Sequence, residues 1–389
     1  MLMQDQTHTV LCVVGARPNF MKIAPIMRAF NAHGGLRPRL LHTGQHYDDD
    51  MKRSFFEQLS IPQPDVDLGV GSGSHAVQTA EVMRRFEPVL DSENPDVVLV
   101  VGDVNSTIAC ALVAVKKQVP VVHVEAGLRS YDRSMPEEIN RVLTDQISDL
   151  LFTTERSAEI NLAREGIAPE RIHFVGNVMI DTLLHHVERA VPAAHTLQDY
   201  GNTALEPYGV VTLHRPSNVD DPHMLRQLLE VLRQASDRLP LVFPLHPRTR
   251  ARIEEAGLLR MLDTPRINIM RPLGYLEMLG IMVRATLVLT DSGGIQEETT
   301  ALGVPCLTLR ENTERPITVE QGTNTVVGTD PQRIYRAFTD ILEDGGKAGC
   351  VPELWDGKAA QRIATTLSAW LTARAAQDQQ VPSKRKVNI

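Results

Sequence analysis

The chain alternates short apolar runs, rich in valine and leucine, with longer stretches of mixed apolar and polar residues. In the first half the short runs are VLCVV (10–14), DVVLVV (96–101), PVVHV (120–124), DLLFTT (149–154) and RIHFVG (171–176). Continuous apolar runs of this length are typical of parallel strands whose two faces are covered by helices. The pattern therefore predicts a doubly wound α/β domain.

The same alternation begins again after a stretch rich in proline, alanine and polar residues at 190–207. The strand-like runs of the second half are YGVVTLH (208–214), PLVFPLH (240–246), INIM (267–270), ATLVLTD (285–291) and VPCLTL (304–309). Because 389 residues exceed what one hydrophobic core usually supports, we expect two Rossmann-like domains in series.

The boundaries of these domains follow from the same pattern. We place the first domain at residues 1–190 and the second at 191–375. A last helix at about 357–373 is expected to cross back to the first domain, and the polar residues 376–389 are expected to form a disordered tail. In the second domain, Asp221 is expected to cap a helix that has Pro222 in its first turn.

Composition and charge narrow the class of protein. The formal net charge is -8, which argues against broad nucleic-acid binding because that function normally needs a basic face. No window reaches the ~18 consecutive apolar residues of a membrane-spanning helix, and the N-terminal residues do not have the pattern of a signal peptide. The four cysteines are far apart and are expected to be reduced thiols. We therefore expect a cytoplasmic protein without a nucleic-acid or membrane partner.

Polar residues follow nearly every predicted strand. The strand endings include GARPNFMK, HTGQHYD, GD, EAGLR, HRPSN, HPRTR, DSGG and RENTER. Ligands of open parallel sheets bind at the carboxyl ends of the strands. If the two sheet edges face each other, they enclose a cleft lined by arginine, lysine, histidine and carboxylates. The alternative is that these residues only form caps and turns, where Asp, Asn, Ser and Gly are common.

The motifs at these strand ends resemble those of a known family. They are VVGARPNFMKIAP, HTGQHYD, GDVNST, HVEAGLRS, MPEEINR, TLHRPSN, TDSGGIQEE, TERP and GTN, in this order, between residue 10 and about residue 372. The chain resembles the non-hydrolysing UDP-N-acetylglucosamine 2-epimerases, which have the GT-B fold of two Rossmann-like domains facing across a cleft. The resemblance implies interconversion of UDP-GlcNAc and UDP-ManNAc for polysaccharide biosynthesis, a UDP-sugar as the bound partner, no cofactor, and a homodimer.

The reaction of that family proceeds by anti elimination of UDP to 2-acetamidoglucal and re-addition, so a proton leaves C2 on one face and returns on the other. This requires acid–base groups on opposite faces of the sugar. The resemblance implies catalytic roles for Asp103, Glu125, Glu137 and His214. We expect like-charge repulsion between Asp103 and Glu125 on neighbouring strand ends.

Each of these four residues also has a structural interpretation. Asp103 suits a helix cap, and Glu137 suits the first turn of a helix after a proline. His214 suits a hydrogen-bonded histidine at a strand end. For Glu125 the structural interpretation is weaker, because a carboxylate between an apolar strand and a glycine is costly without a partner.

The leaving diphosphate needs hydrogen-bond donors already in place. Arg17, Lys22 and the helix that opens at Ser292 can supply them without a metal, and the sequence contains no metal-binding motif. The resemblance implies that Glu298 binds the ribose and that Met278 lies near the uracil. The expected UDP-binding residues are Arg17, Lys22, His214, Met278, Ser292, Gly293, Gly294, Glu298, Arg310 and Arg315.

Within TDSGGIQEE the two glutamates are expected to differ. Glu298 lies ~6 Å along the helix axis from Gly294, which suits a nucleotide laid across the helix start. Glu297 lies about 100° round the helix and is expected to serve packing or face solvent. Arg310, Glu314 and Arg315 are expected to frame the nucleotide pocket, or alternatively to form a surface ion-pair cluster.

Two departures leave alternatives open. Many members of the family have a glutamate where this chain has Ser217, in a region that binds a second UDP-GlcNAc as an activator. The PLHPRTR segment also occurs in relatives that act on UDP-2,3-diacetamido-uronic acid, and a GT-B glycosyltransferase or a non-catalytic sugar-nucleotide sensor would use the same cleft. The expected allosteric residues are Gln45, His46, Arg215 and His246.

Overall fold

The structure is a computed structural model that describes residues 7–44, 56–198 and 207–380. Its contacts divide the chain into two compact units. The first unit comprises Met1–Thr182 and Asp356–Ile389, and the second comprises Leu183–Trp355. No helix in the described ranges is long and apolar enough to cross a membrane.

The first unit is built on a sheet whose strands pair in parallel, in the order β3-β2-β1-β4-β5-β6-β7. The strand order reverses between β1 and β4, and such a switch point is where ligands bind in doubly wound folds. The strands are β1 (His8–Val14), β2 (Leu36–His42), β3 (Val66–Asp67), β4 (Val97–Val101), β5 (Val121–Ala126), β6 (Leu150–Thr153) and β7 (Ile172–Phe174).

Helices connect these strands and cover the sheet. Their apolar faces pack on it, as where Phe86 and Leu90 meet Val98 and Val100 in one buried cluster. The helices are α1 (Arg17–Ala32), α2 (His75–Glu93), α3 (Asn105–Lys116), α4 (Pro136–Ile147), α5 (Arg156–Arg164), α6 (Val178–His186) and, after the second unit, α15 (Ala359–Gln380). The boundary between the units falls within α6, after Thr182. Asp181 on this helix accepts hydrogen bonds from the first amides of α15, those of Ala359 and Ala360.

The second unit repeats the plan with a sheet ordered β10-β9-β8-β11-β12-β13, again with parallel pairing throughout the described strands. Its switch point lies between β8 and β11. The strands are β8 (Gly209–Thr212), β9 (Leu241–Pro244), β10 (Ile267–Met270), β11 (Leu287–Thr290), β12 (Cys306–Thr308) and β13 (Asn324–Val326). The predicted fold class of two doubly wound parallel sheets is confirmed.

The helices of the second unit also follow the sequence pattern. Asp221 accepts a hydrogen bond from the amide of His223, as expected of a cap, and Leu225, Leu228 and Leu232 on the next helix enter the core. The helices are α7 (Ala193–Gln198), α8 (Pro216–Val219), α9 (Pro222–Ser236), α10 (Pro247–Glu255), α11 (Tyr275–Val283), α12 (Gly293–Leu302), α13 (Pro316–Glu320) and α14 (Pro331–Asp344).

Two features of the secondary structure differ from the sequence pattern. Strands β3 and β13 are only two and three residues long and were too short to be recognised as apolar runs. Helix α15 runs to Gln380, beyond the predicted start of a disordered tail at 376, because residues 372–380 contain alanine, arginine and glutamine, which favour helix, and no proline. Residues 381–389 lie outside the described ranges.

Candidate active site

The loop after β1 is tied to the end of β4 by one buried side chain. The Asn19 carboxamide oxygen accepts hydrogen bonds from the amides of Gly15 and Ala16, each at 3.1 Å. Its nitrogen donates to the carbonyl of Val101 at 3.0 Å. Asn19 therefore bridges the switch point of the first sheet, immediately beside the start of α1 at Arg17. Asn19 was not predicted from the sequence as a site residue.

Glu125 interrupts the regular pairing of β5. Its φ of 71° lies in the left-handed region, and the register between β5 and β6 shifts between Val124 and Ala126. Its carboxylate forms a buried ion pair with the ammonium of Lys22. A Cβ on Gly102 would lie 2.8 Å from that ammonium, so a larger residue at Gly102 would displace the pair. The Lys22 ammonium is therefore paired with the Glu125 carboxylate. The expected contact of Lys22 with the diphosphate remains a prediction.

Asp103 follows β4 and is held from helix α4. Its carboxylate accepts a hydrogen bond from Arg141, whose other terminal nitrogen donates to Glu138 at 2.6 Å. The main-chain carbonyl of Asp103 accepts from Asn140 at 2.9 Å. Helix α3 has Val104, and not Asp103, as its N-cap residue.

The carboxylates of Asp103 and Glu125 therefore each meet a buried cation, Arg141 and Lys22 respectively. Strands β4 and β5 are neighbours, so the two residues lie at adjacent strand ends as the sequence indicated. The expected like-charge repulsion is not the dominant interaction for either residue, because an opposite charge in direct contact outweighs a more distant like charge.

Helix α4 begins with two adjacent glutamates that have different surroundings. Glu138 is buried and accepts hydrogen bonds from the amides of Ser130 and Tyr131, both at 2.9 Å, so it fixes the preceding loop. Glu137 is half-buried in the first turn after Pro136, and no ion pair to it is found within the described part of the chain. Of the two, Glu137 is the carboxylate whose contacts leave it available for chemistry.

In the second unit the switch point is bridged by Asp291, which is fully buried. It accepts hydrogen bonds from the amides of His214 and Arg215, both at 2.9 Å, and from Asn218 at 3.3 Å. The ring Nδ1 of His214 lies 2.9 Å from its other oxygen. Burial alone would raise the pKa of Asp291. These hydrogen bonds lower the pKa below its ordinary value, and the bond from the His214 ring has the largest lowering effect.

This contact fixes how His214 is presented. Because an ionised carboxylate can only accept, Nδ1 of His214 carries a proton and Nε2 is the atom left for another partner. The His214 ring is partly exposed, and the ring of His246 lies against it with centroids 5.7 Å apart. His246 itself begins α10, where its Nδ1 accepts from the amide of Arg248 at 3.2 Å.

Helix α12 opens at the glycines of TDSGG. Ser292 is its N-cap and makes no side-chain capping bond, while the Ser292 amide donates to Thr290 at 3.0 Å. The first amides of the helix, those of Gly293 and Gly294, have no partner within the helix, as at every helix N-terminus. A helix start of this kind attracts anions through its amides and its dipole.

Three arginines converge beside this helix start. Arg215 and Arg310 approach opposite oxygens of the Glu314 carboxylate, at 3.3 and 2.8 Å, and Glu314 Oε1 would lie 3.4 Å from a Cβ on Gly293. Burial would raise the pKa of Glu314, but Arg310, Arg315 and Arg215 lower it well below its usual range. Arg310, Glu314 and Arg315 are all buried, so the alternative of a surface ion-pair cluster is wrong.

Two of these arginines each have a buried nitrogen atom without a hydrogen-bond partner among the described residues. The two atoms are the terminal Nη1 of Arg310 and the Nε of Arg215. A buried guanidinium nitrogen without a partner is costly, so such atoms point to a ligand that supplies acceptors. Arg215, expected in an allosteric region, thus lies in the arginine cluster at α12.

The two glutamates of TDSGGIQEE are both buried. Glu297 lies 2.8 Å from Nε of Arg315, so of the two expectations packing is right and solvent exposure is wrong. Glu298 lies against the hydroxyl of Tyr275, and burial first, then the charge of Glu298, raises the pKa of Tyr275 well above its ordinary value. Met278 is three residues after Tyr275 on α11, and its expected place near the uracil remains a prediction.

Some predicted positions are not placed by the structure. Gln45 and His46 lie outside the described residues, and Ser217 is exposed. In ranges 7–44, 56–198 and 207–380, no group of three or more His, Cys, Asp or Glu residues is arranged to hold a metal ion.

Comparison with known proteins identifies the family. The family model described as UDP-N-acetylglucosamine 2-epimerase matches residues 28–368. The UDP-N-acetylglucosamine 2-epimerase of Methanocaldococcus jannaschii is 41% identical over 360 residues, which is 92% of this chain and 98% of that protein. The UDP-2,3-diacetamido-2,3-dideoxy-D-glucuronate 2-epimerase of Pseudomonas aeruginosa is 41% identical over 367 residues, which is 92% of this chain and 99% of that protein.

Solved structures give the same result. The crystal structure of the M. jannaschii enzyme in complex with UDP-GlcNAc and UDP matches with a TM-score of 0.86 and 41% identity, covering 93% of this chain and 99% of that one. The S. aureus MnaA–UDP structure matches with a TM-score of 0.84 and 31% identity, covering 98% of this chain and 100% of that one. The fold is GT-B, and the chain belongs to the UDP-N-acetylglucosamine 2-epimerase family.

Proposed function

We propose that this protein interconverts UDP-GlcNAc and UDP-ManNAc by inverting C2 of the sugar. The observation that carries the proposal is the pair of carboxylates at the switch-point edge of the first sheet. Asp103 follows β4, Glu125 lies near the end of the adjacent strand β5, and each is oriented by a buried cation. Two fixed acid–base groups on neighbouring strand ends suit a reaction in which a proton leaves one face of a carbon and returns on the other. The solved relative bound to UDP-GlcNAc and UDP supports the substrate.

The proposed reaction has two halves. In the first, a carboxylate takes the C2 proton while the C1–O bond breaks and its electrons leave with UDP, which gives 2-acetamidoglucal. In the second, a protonated carboxylic acid delivers a proton to the other face of C2 and a phosphate oxygen of UDP bonds to C1. Asp103, Glu125 and Glu137 are the candidates for these proton transfers. Arg141 and Lys22 orient two of them, so little reorganisation is needed when the proton moves.

The second unit supplies the groups that stabilise the leaving diphosphate. The amides of Gly293 and Gly294 at the start of α12 point toward an anion. Nε2 of His214 and the spare guanidinium nitrogens of Arg215 and Arg310 add donors. Donors fixed before the reaction stabilise charge as it develops on the leaving group. Arg315 is held by Glu297 and supports the cluster.

The nucleoside is proposed to bind farther along α12. Glu298 is one turn beyond the diphosphate amides, and its carboxylate can accept hydrogen bonds from the ribose hydroxyls, as the acidic residue of dinucleotide-binding folds does. The hydroxyl of Tyr275 is near Glu298, whose charge adds to burial in raising the pKa of Tyr275. Met278, on the same helix as Tyr275, is proposed to contact the uracil.

A second candidate substrate is UDP-2,3-diacetamido-uronic acid, because the P. aeruginosa relative named for it is as similar as the M. jannaschii enzyme. That sugar carries a carboxylate, which needs a cation. The buried cations at the edge of the first sheet are already paired, Lys22 with Glu125 and Arg141 with Asp103 and Glu138. These contacts favour a sugar with an uncharged C6 hydroxyl.

Incubation in D2O tests the proposal. UDP-GlcNAc should give UDP-ManNAc that carries deuterium at C2, detected by NMR and mass spectrometry. Product without solvent deuterium would refute elimination and re-addition, and free ManNAc with UDP would show a hydrolysing enzyme instead. The diacetamido-uronate nucleotide, supplied at equal concentration, should be converted much more slowly. Asp103→Asn, Glu125→Gln and Glu137→Gln serve as inactive controls.

Two further assignments rest on the family. We propose that the protein is a homodimer, which sedimentation equilibrium would test by giving twice the 43.1 kDa mass of the chain. We also propose that it acts in the cytoplasm, in the synthesis of a surface polysaccharide. Fractionation of cells should then recover the activity in the cytoplasmic fraction.

A further inference from the structure

A buried hydrogen-bonded cluster lies behind Asp103. His123 and Asp145 are fully buried, and the ring Nδ1 of His123 lies 2.7 Å from Asp145. Its Nε2 lies 2.8 Å from the main-chain carbonyl of Gly102. Because a carbonyl oxygen only accepts, Nε2 carries a proton and donates to Gly102. The second oxygen of Asp145 accepts from Arg129 at 2.7 Å and from the amide of Gly127 at 3.1 Å.

Residues of helix α4 contact both His123 and Asp103. Asp145 on α4 orients His123, which holds the carbonyl of Gly102. Asn140, on the same helix, donates to the carbonyl of Asp103 at 2.9 Å, and Arg141 donates to the Asp103 carboxylate. Two consecutive carbonyls and one carboxylate are therefore fixed from a single helix.

Gly102 needs this restraint. Its φ of 65° places it in the left-handed region, where glycine has more conformational freedom than other residues. Its amide donates to the carbonyl of Val124 at 3.0 Å, so both main-chain groups of Gly102 are bound to residues of β5. With the His123 contact removed, the turn that leads to Asp103 loses one of its two anchors.

We propose that His123, Asn140, Arg141 and Asp145, the α4 clamp, set the position of Asp103 relative to Glu125 and Glu137. Glu125 is two residues after His123 on β5, and Glu137 is in the first turn of α4. The clamp therefore joins the three segments that carry the candidate acids. Within it, His123 is a positioning residue that acts through Gly102. This inference rests on the proposed epimerase function.

Two substitutions at His123 separate positioning from packing. In His123→Gln the side-chain nitrogen can reach the position of Nε2 and still donate to Gly102. In His123→Asn the shorter amide reaches only the position of Nδ1, and Gly102 loses its donor. We expect kcat to fall about 10-fold in His123→Gln and about 100-fold in His123→Asn, because small misplacements of catalytic groups cost that much. KM and the Kd of UDP should change less than about 2-fold, since all the predicted UDP-binding residues except Arg17 and Lys22 are in the second unit.

A matched control lies at the other end of the same strand. Asp149 accepts from the amide of Val121, the first residue of β5, at 2.9 Å. Asp149→Asn perturbs a polar contact of β5 far from Glu125 and should leave kcat within about 2-fold. If Asp149→Asn lowers kcat as much as His123→Asn, or if His123→Asn keeps kcat within about 3-fold, the clamp proposal is overturned.

A second variant decides the matter if the His123 variants do not fold, as shown by lost circular dichroism. Asn140 is partly exposed, so Asn140→Ala should fold, and we expect kcat to fall several-fold with KM unchanged. An unchanged kcat would overturn the clamp. The two proposals fail differently: wild-type protein that incorporates no deuterium at C2 refutes the epimerase function, whereas active wild type with unaffected variants refutes only the clamp.

Discussion

Replacing Asp291 by asparagine tests the polar centre of the second unit. Asp291 is fully buried and accepts from four donors, the amides of His214 and Arg215, the ring of His214 and the side chain of Asn218. Asparagine offers one oxygen and one NH2 group in place of two oxygens. The NH2 group must then face N–H donors, and at least one of them loses its partner.

The expected cost follows from burial and charge. Hydrogen bonds to a charged group contribute about 1.5–3 kcal/mol each, and removing one partner from a buried charged pair costs about 3–5 kcal/mol. We therefore expect Asp291→Asn to lower the free energy of unfolding of the second unit by about 3 kcal/mol at pH 7. The pKa of Asp291 is lowered in the folded state, so its stabilisation is present above the ordinary carboxyl pKa and is lost as the pH falls through the folded pKa.

Urea denaturation at several pH values measures this difference. Trp355 is buried in the second unit, and Trp370 is in the first, so a Trp370→Phe background leaves fluorescence that reports the second unit. The gap between wild type and Asp291→Asn should be largest near neutral pH and narrow in acid. Asp330→Asn is the control, because Asp330 caps α14 by accepting from Arg333 and asparagine caps about as well. A loss below about 1 kcal/mol for Asp291→Asn, or a gap that does not narrow in acid, would refute the reasoning.

Three further predictions concern single residues. Glu298→Ala should weaken UDP binding about 10-fold in calorimetry. Glu297→Ala should mainly lower the unfolding temperature, since it removes the carboxylate paired with the buried Arg315. Equal effects of the two substitutions on UDP affinity would contradict this prediction. Gly102→Ala should lower the free energy of unfolding in urea by about 2 kcal/mol or more and should also lower kcat. The reason is that Gly102 has a φ of 65° and the new Cβ would lie 2.8 Å from Lys22 Nζ. A variant as stable as wild type would disprove the prediction. Burial raises the pKa of Asp181 to about 6 despite the two amides of α15 that it accepts from, so its contribution to stability is complete below the ordinary pKa and is lost as the pH rises through about 6. The unfolding free energy of wild type minus that of Asp181→Asn should therefore fall by about 2 kcal/mol from pH 4 to 7, and a flat difference would exclude a raised pKa.

The fold could be predicted from the sequence because its signals are local. Apolar runs such as 97–101 and 287–290 mark buried strands, and the glycines and polar residues after them mark the loops at the switch points. The seven-residue strand β2 was located only through its ending, since LRPRLLH mixes charged and apolar residues. Strand β13 has three residues and carries no apolar run of its own.

The contacts of the candidate site could not be predicted in the same way. Lys22 and Glu125 are about one hundred residues apart, and their pairing depends on the bulge at Glu125 and the close approach of Gly102. Helical spacing shows that Glu137 and Glu138 face different directions, but only the folded loop at Ser130 shows which one is buried. The catalytic and UDP-binding roles of these residues remain predictions that the experiments above test.

The carboxylate of Glu314 has a consequence for how a nucleotide can enter and leave. Three guanidiniums, those of Arg215, Arg310 and Arg315, meet two carboxylates, Glu297 and Glu314, so the cluster retains one positive charge rather than three. Glu314 acts as a permanent counterion that keeps the arginines aligned when no nucleotide is present. A diphosphate then finds directed N–H groups in a nearly neutral setting, and its binding depends on geometry more than on bulk attraction. Such a pocket can hold UDP through a reversible elimination and still release the product, because the departing nucleotide leaves one net positive charge behind rather than three.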